Sequence, residues 1–120
     1  MPTPGAVEMS AQVCQATAEL FRALSHPVRI RVLELLQDGP RPVHELLQEI
    51  GVDASSLTQQ LVALRRCGIV SSTRDGPVIS YELSTTAVAD LMDVARETMV
   101  AMVTKPAEVQ TEPRRGALAR

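Results

Sequence analysis

A short run of hydroxyl and amide side chains lies in the middle of the chain. Its members are Ser55, Ser56, Thr58, Gln59 and Gln60. Hydroxyls and amides can both donate and accept hydrogen bonds, which is the chemistry needed to read base edges in a DNA major groove. A helix surface that only faces water more often carries Lys and Glu. The composition of this polar face therefore favours base reading over simple solvation.

The residues around the polar face predict the helix that presents it. Asp53 can cap the start of that helix by accepting from its free backbone N–H groups, and Gly68 can end it. Leu57, Leu61 and Leu64 recur at i, i+4 and i+7 as a buried stripe. The polar residues are thereby placed on the opposite, outward side of the helix.

A shorter helix and a tight turn come directly before this segment. Residues 43–50 are predicted to be helical, with Pro42 where a missing N–H costs nothing and Gly51 just past the end. Residues 51–53 form the turn. The two helices and the turn are the parts of a helix-turn-helix.

A two-stranded hairpin is predicted next. Residues 69–73 alternate as a strand, the chain turns at Asp75-Gly76, and residues 78–83 return as the second strand. Arg65 at the helix end and Arg74 in the hairpin lie where a DNA backbone would run, so we predict that both contact phosphate. Helix, turn, helix and hairpin together predict a winged helix-turn-helix.

Three further helices are expected outside this core, at residues 11–24, 27–36 and 86–103. The last has an apolar stripe stepping by four and three residues, made by Val88, Met92, Ala95, Met99 and Met102. Because the core already has its own leucines, we expect the terminal helices to bury their stripes across a two-fold axis. A ligand groove along this methionine-rich stripe is the alternative. The predicted fold is mainly α with a small β-hairpin, in the order α-α-α-α-β-β-α, as a homodimer through the terminal helices.

The length of 120 residues predicts one domain, spanning residues 11–104 between a flexible arm (1–10) and a disordered tail (105–120). No apolar stretch reaches 18 residues and no export signal is visible, so a cytoplasmic protein without membrane contact is expected. The two cysteines are expected to be free, buried thiols. An enzyme is excluded because the chain has no glycine-rich phosphate loop, nucleophile motif or acid–base pair.

The net charge leaves a second hypothesis open. A formal charge of −2 argues against non-specific coating of nucleic acid, although Arg65, Arg66 and Arg74 concentrate positive charge at the recognition helix end and the hairpin. Near-neutral charge and Pro77 in the hairpin turn would also suit a winged-helix module that binds protein rather than DNA. Specific binding in the presence of unrelated duplex distinguishes the two.

Three stretches resemble bacterial ArsR/SmtB-type transcriptional repressors. Residues 19–30 (ELFRALSHPVRI) are similar to the family's first-to-second-helix signature, residues 55–65 (SSLTQQLVALR) to its recognition helix, and Arg74-Asp75-Gly76 to its wing tip. The resemblance implies a homodimeric repressor that binds double-stranded DNA at an inverted-repeat operator and releases it when an inducer binds. Metal ions and thiol oxidation are among the family's inducers.

The two common metal sites of such repressors are absent from this sequence, since the pre-turn helix has no cysteine and the last helix no histidine. Relatives bring N-terminal residues of one protomer toward the pre-turn helix of the other, which implies a set of Cys14, His44 and Glu45. Thiolate, imidazole and carboxylate suit zinc, nickel or cobalt. Alternatively, His44 and Glu45 are a solvated His and a dipole-favoured Glu that need no metal.

The remaining candidate sensor residues have simpler interpretations. His26, in the Ser-His-Pro joint, is expected to cap or pack. A thiol switch would favour Cys14, which lies near the start of its helix, where a thiolate is stabilised. Cys67 ends its helix and is expected to be a small buried residue.

Overall fold

Local sequence signals fix most helix boundaries in the computed structural model, which describes residues 10–111 by backbone and 10–104 by side chain. The helices are α1 (Ala11–Leu24), α2 (Pro27–Leu35), α3 (Val43–Ile50), α4 (Ala54–Arg66) and α5 (Thr86–Thr111), and the strands are β1 (Arg41–Pro42), β2 (Val70–Asp75) and β3 (Val78–Leu83). A 3₁₀ turn, Leu36–Asp38, follows α2. The chain divides into two units at Thr85, with α5 in the second.

Each helix of the first unit begins or ends at a residue that satisfies its free backbone groups. The Oγ atom of Ser10 accepts from the N–H of Val13 at 3.1 Å, and Nδ1 of His26 accepts from the N–H of Val28 at 3.1 Å. Gly51 ends α3 in the left-handed conformation, with φ of 77°. The predicted capping role of His26 is confirmed.

The core of the first unit is built from leucines and valines of α2, α3, α4 and β2. Val32, Leu33, Leu46, Leu57 and Leu64 are completely buried. Leu61 is also buried, so the predicted stripe of α4 is confirmed. Packing of this stripe turns the other side of α4 to solvent, which is the condition for the polar face to act on a partner.

The sheet has three antiparallel strands in the order β1-β3-β2. The two-residue strand β1 pairs Arg41 with Tyr81 and was not predicted, because two residues show no alternation. Asp75 pairs with Val78, so the hairpin turn is Gly76-Pro77 and the predicted turn at Asp75-Gly76 is displaced by one residue. Gly76 has φ of 61°, while the proline ring fixes φ of Pro77 near −65°; this is a type II′ turn with glycine first.

Two helix ends differ from the prediction. Helix α2 ends at Leu35, because Leu36–Asp38 tightens into a 3₁₀ turn before Gly39. Helix α5 continues to Thr111, past the predicted end at residue 103 and into the segment predicted as a disordered tail. The rest of that tail, 112–120, and residues 1–9 of the predicted arm lie outside the described residues. Over the described residues, no helix combines the length and apolar character of a membrane span.

Candidate nucleic-acid interface

The N-terminal end of α4 is organised by the carboxylate of Asp53. Its Oδ1 accepts from the N–H of Ser56 at 2.7 Å and from Oγ of Ser55 at 2.9 Å, while Oδ2 accepts from Oγ of Ser56 at 3.1 Å. The backbone hydrogen bond from Ser56, followed by the two serine hydroxyls, lowers the pKa of Asp53 below its ordinary value of 3.8. The predicted cap is confirmed, and it holds the two serine hydroxyls of the polar face in defined positions.

Thr58 and Gln59 form the free part of the polar face. Both are exposed, and neither side chain has a hydrogen-bond partner within residues 10–104. At 3.6 residues per turn, Gln59 lies diametrically opposite the buried Leu57 and shares a stripe with Ser55. Its amide can therefore present a donor and an acceptor together to an approaching ligand.

Gln60 differs from its neighbours because it is already bound to another helix. It is half-buried, and its Oε1 accepts from Nε of Arg29 in α2 at 2.7 Å. Nη1 of Arg29 donates to the backbone carbonyl of Ala23 in α1 at 3.0 Å. One guanidinium thus joins the end of α1, the first turn of α2 and the middle of α4.

Arg29 positions α4 against α1 and α2, a role that was not predicted from the sequence. It is three, four and seven residues before Val32, Leu33 and Leu36, all of which are buried. That spacing puts a charged residue among the buried positions of α2. A charge at such a position is the sequence feature that could have identified Arg29. What the sequence did not indicate was its partner, 31 positions away.

The two predicted phosphate contacts are available for that role. Arg65 and Arg74 are exposed, and neither pairs with a carboxylate in the part of the chain whose side chains are described. Arg74 lies on β2 opposite Ile79, next to the hairpin turn. Because these two guanidinium groups, one at the end of α4 and one on β2, are exposed and unpaired, they can approach a polyanion without first breaking an ion pair.

The three proposed metal ligands are also accessible. Cys14, His44 and Glu45 are all exposed. No group of three metal-binding side chains occurs within the described residues of one chain, and the predicted set combines residues of two protomers. The donor types fit a transition metal of the zinc class.

Both cysteines are exposed, so the expectation of buried thiols is wrong. Cys67 follows the last turn of α4, where the chain leaves the helix. It is the residue just past the end of α4, so it is not held against the core by the stripe of Leu57, Leu61 and Leu64. Cys14 lies one position beyond Val13, on a side of α1 that nothing in the first unit covers.

This chain is similar to known bacterial transcriptional regulators in both sequence and structure. Residues 26–72, which contain the helix-turn-helix and the start of β2, match the family model described as bacterial regulatory protein, arsR family. The chain is 41% identical over 103 residues to the uncharacterized HTH-type transcriptional regulator Rv0081 of Mycobacterium tuberculosis, covering 85% of this chain and 90% of that protein. The crystal structure of Rv0081 matches with a TM-score of 0.75, covering 82% of this chain and 99% of that one, at 39% identity.

Two further proteins resemble this chain, one in sequence and one in structure. The biofilm growth-associated repressor of Xylella fastidiosa is 41% identical over 76 residues, which is 63% of this chain and 67% of that protein. The homodimeric winged helix-turn-helix DNA-binding domain of Mb0332 from Mycobacterium bovis has a TM-score of 0.72 at 24% identity, covering 84% of this chain and 94% of that one. The last comparison supports the fold alone.

Proposed function

The chain belongs to the arsR family of bacterial regulatory proteins and is a DNA-binding transcriptional regulator, and from this premise we propose that it is a repressor acting as a homodimer on an inverted-repeat operator. The observation that carries the proposal is the state of α4, whose exposed Thr58 and Gln59 have no partner in the described structure. One α4 from each protomer would address two half-sites about one helical turn apart.

Exposed apolar side chains on the terminal helices support the dimer. In the first unit, α1 exposes Val13 and Phe21, with 48% and 55% of their surface accessible. In α5, Met99, Val100 and Val103 are 55%, 59% and 71% exposed. Large apolar side chains exposed on each of these helices favour an interface between copies. The homodimeric state of the Mb0332 domain is in accord with this proposal.

We propose different roles for different residues of α4 and the hairpin. We assign base contacts to Ser55, Ser56, Thr58 and Gln59, and phosphate contacts to Arg65 and Arg74. Gln60, also predicted to read bases, already uses its amide oxygen to accept from Nε of Arg29. We therefore propose that Gln60 holds α4 in place while its neighbours read the sequence. No feature of the described structure favours the protein-binding module over this function.

We propose a metal ion as the inducer, held by Cys14 of one protomer and by His44 and Glu45 of the other. The exposure of all three side chains leaves them accessible to a second chain and to an ion. Cys14→Ser should abolish the release of DNA by zinc, nickel or cobalt. An unchanged dose curve for all three ions would remove Cys14 from the mechanism.

Fluorescence anisotropy with DNA from upstream of the protein's own gene tests the main proposal. Binding is measured at two salt concentrations with excess unrelated duplex as competitor. We expect specific binding that survives the competitor and weakens steeply with salt. Complete displacement by unrelated duplex at both salt concentrations would contradict sequence-specific regulation.

A further inference from the structure

A groove with several arginines in its wall lies beside the C-terminal half of α4. It has a volume of about 640 Å³ and is formed by the end of α1, the start of α2 and the end of α4. Its charged lining residues are Arg22, Arg29, Arg66 and Glu19. Three guanidinium groups against one carboxylate make this groove locally cationic in a chain whose net charge is −2.

Arg29 is the residue of this groove whose charge lacks a counter-ion although it is half-buried. It is half-buried, and both of its hydrogen bonds go to neutral acceptors, the amide oxygen of Gln60 and the carbonyl of Ala23. No carboxylate pairs with it within residues 10–104. A partly desolvated cation normally has an anionic partner, since neutral acceptors compensate its lost hydration only in part. The guanidinium also has more donors than these two bonds use.

The positions of the arginines separate this site from ordinary helix capping. Arg22 and Arg66 lie in the last turns of α1 and α4, where a cation also suits the negative end of the helix dipole. Arg29 lies in the first turn of α2, where the dipole disfavours a cation. Its presence there therefore requires another reason, and it adds a third donor group to the same groove.

We propose that this groove binds a tetrahedral oxyanion of the phosphate class through Arg22, Arg29 and Arg66. Guanidinium groups match such oxygens in geometry and charge, and several of them together provide selectivity over chloride. The anion is either a small free oxyanion or a phosphate of bound DNA. The second source rests on the proposed function, whereas the first does not.

Arg29 links this groove to the polar face of α4, because it lines the groove and also binds Gln60. The guanidinium that would bind the anion is the one that holds Gln60 at 2.7 Å. An oxyanion that recruits Nε of Arg29 competes with Gln60 for that donor. Occupation of the groove would then change how firmly α4 is held, which is a route by which a small anion adjusts DNA recognition.

The first experiment uses inorganic phosphate and the full chain without DNA. Backbone amide NMR shifts are followed during titration with potassium phosphate, with potassium chloride of matched ionic strength as reference. We expect saturable shifts at residues lining the groove with phosphate alone, and at least a fivefold weaker Kd in Arg22→Gln and Arg66→Gln. Arg31→Gln is the matched control, because it removes one charge from an exposed position of α2 outside the groove.

The second experiment identifies the source of the anion. If free phosphate causes no saturable shifts, the salt dependence of DNA binding is measured for the same variants. A slope smaller by about 0.9 in Arg22→Gln and in Arg66→Gln, but not in Arg31→Gln, assigns a DNA phosphate to the groove. Equal behaviour of all three variants in both experiments overturns the proposal. That outcome leaves sequence-specific binding itself intact, so the two proposals fail separately.

Discussion

The N-terminal end and the middle of α4 are held by different means. At its N-terminal end, Asp53 fixes Ser55 and Ser56 through contacts within three residues of sequence. Further along, Gln60 is fixed by Arg29, which is 31 residues away on another helix. Thr58 and Gln59 lie between these two anchors and are free. Thr58 and Gln59 are thus presented from a helix that is held on both sides of them, which preserves their geometry without occupying their hydrogen-bonding groups.

Removing the long-range anchor should have the largest effect on stability. Arg29→Ala leaves the half-buried Gln60 and the Ala23 carbonyl without their donor, and should lower the free energy of unfolding by roughly 2–3 kcal/mol. Urea denaturation measures this. The control Arg31→Ala loses only an exposed contact with Glu34 at 3.6 Å and should stay within about 0.5 kcal/mol of wild type. Equal losses in the two variants would contradict the anchoring role.

The neighbouring glutamines should separate reading from anchoring. Gln59→Ala should reduce discrimination between the operator and a mutated operator by roughly 1–3 kcal/mol, with unfolding unchanged. Gln60→Ala should instead lower the free energy of unfolding by about 1–2 kcal/mol, because it removes the acceptor of a charged donor. Anisotropy on both duplexes, together with urea denaturation, tests the pair. If Gln59→Ala weakened binding equally on every sequence, its reading role would be refuted.

The wing should contribute affinity without discrimination. Arg74→Ala should weaken binding to operator and unrelated duplex alike, and should reduce the slope of log K against log salt by about 0.9 through the loss of one phosphate contact. Anisotropy at several salt concentrations measures the slope. A change of base preference with an unchanged slope would instead place Arg74 at a base edge.

The local anchor should give the smallest effect, visible as a pH dependence. Since the pKa of folded Asp53 lies below its ordinary value of 3.8, the stability from its carboxylate is complete above the unfolded pKa and is lost as the pH falls through the folded pKa. Asp53→Asn keeps an acceptor at the cap but cannot titrate. Wild type should therefore be more stable at neutral pH and should lose that advantage in acid, as thermal unfolding at a series of pH values would measure. A difference that persisted at the lowest pH would argue against a charge effect at the cap.

Sequence signals anticipated much of this arrangement. The cap at Asp53, the helix end at Gly51 and the stripe of Leu57, Leu61 and Leu64 were all predicted and are confirmed. Each depends on residues a few positions apart, whose relative placement follows from helix geometry. Of the five residues predicted to read bases, only Gln60 has a partner outside its own helix and cap, and that partner on α2 was not predicted.

Contacts between distant segments had no comparable signal. The pairing of Arg41-Pro42 with β3, the exposure of Cys67 and the cationic groove all depend on how separate elements pack. The amino-acid sequence by itself determined the helix-turn-helix, its caps and its buried stripe, because these follow from local periodicity and backbone chemistry, while the resemblance of its motifs indicated the family. Only the tertiary structure decided that Arg29 meets Gln60 and faces a groove with Arg22 and Arg66. Hydrogen bonds between separate helices depend on distances that no local pattern encodes.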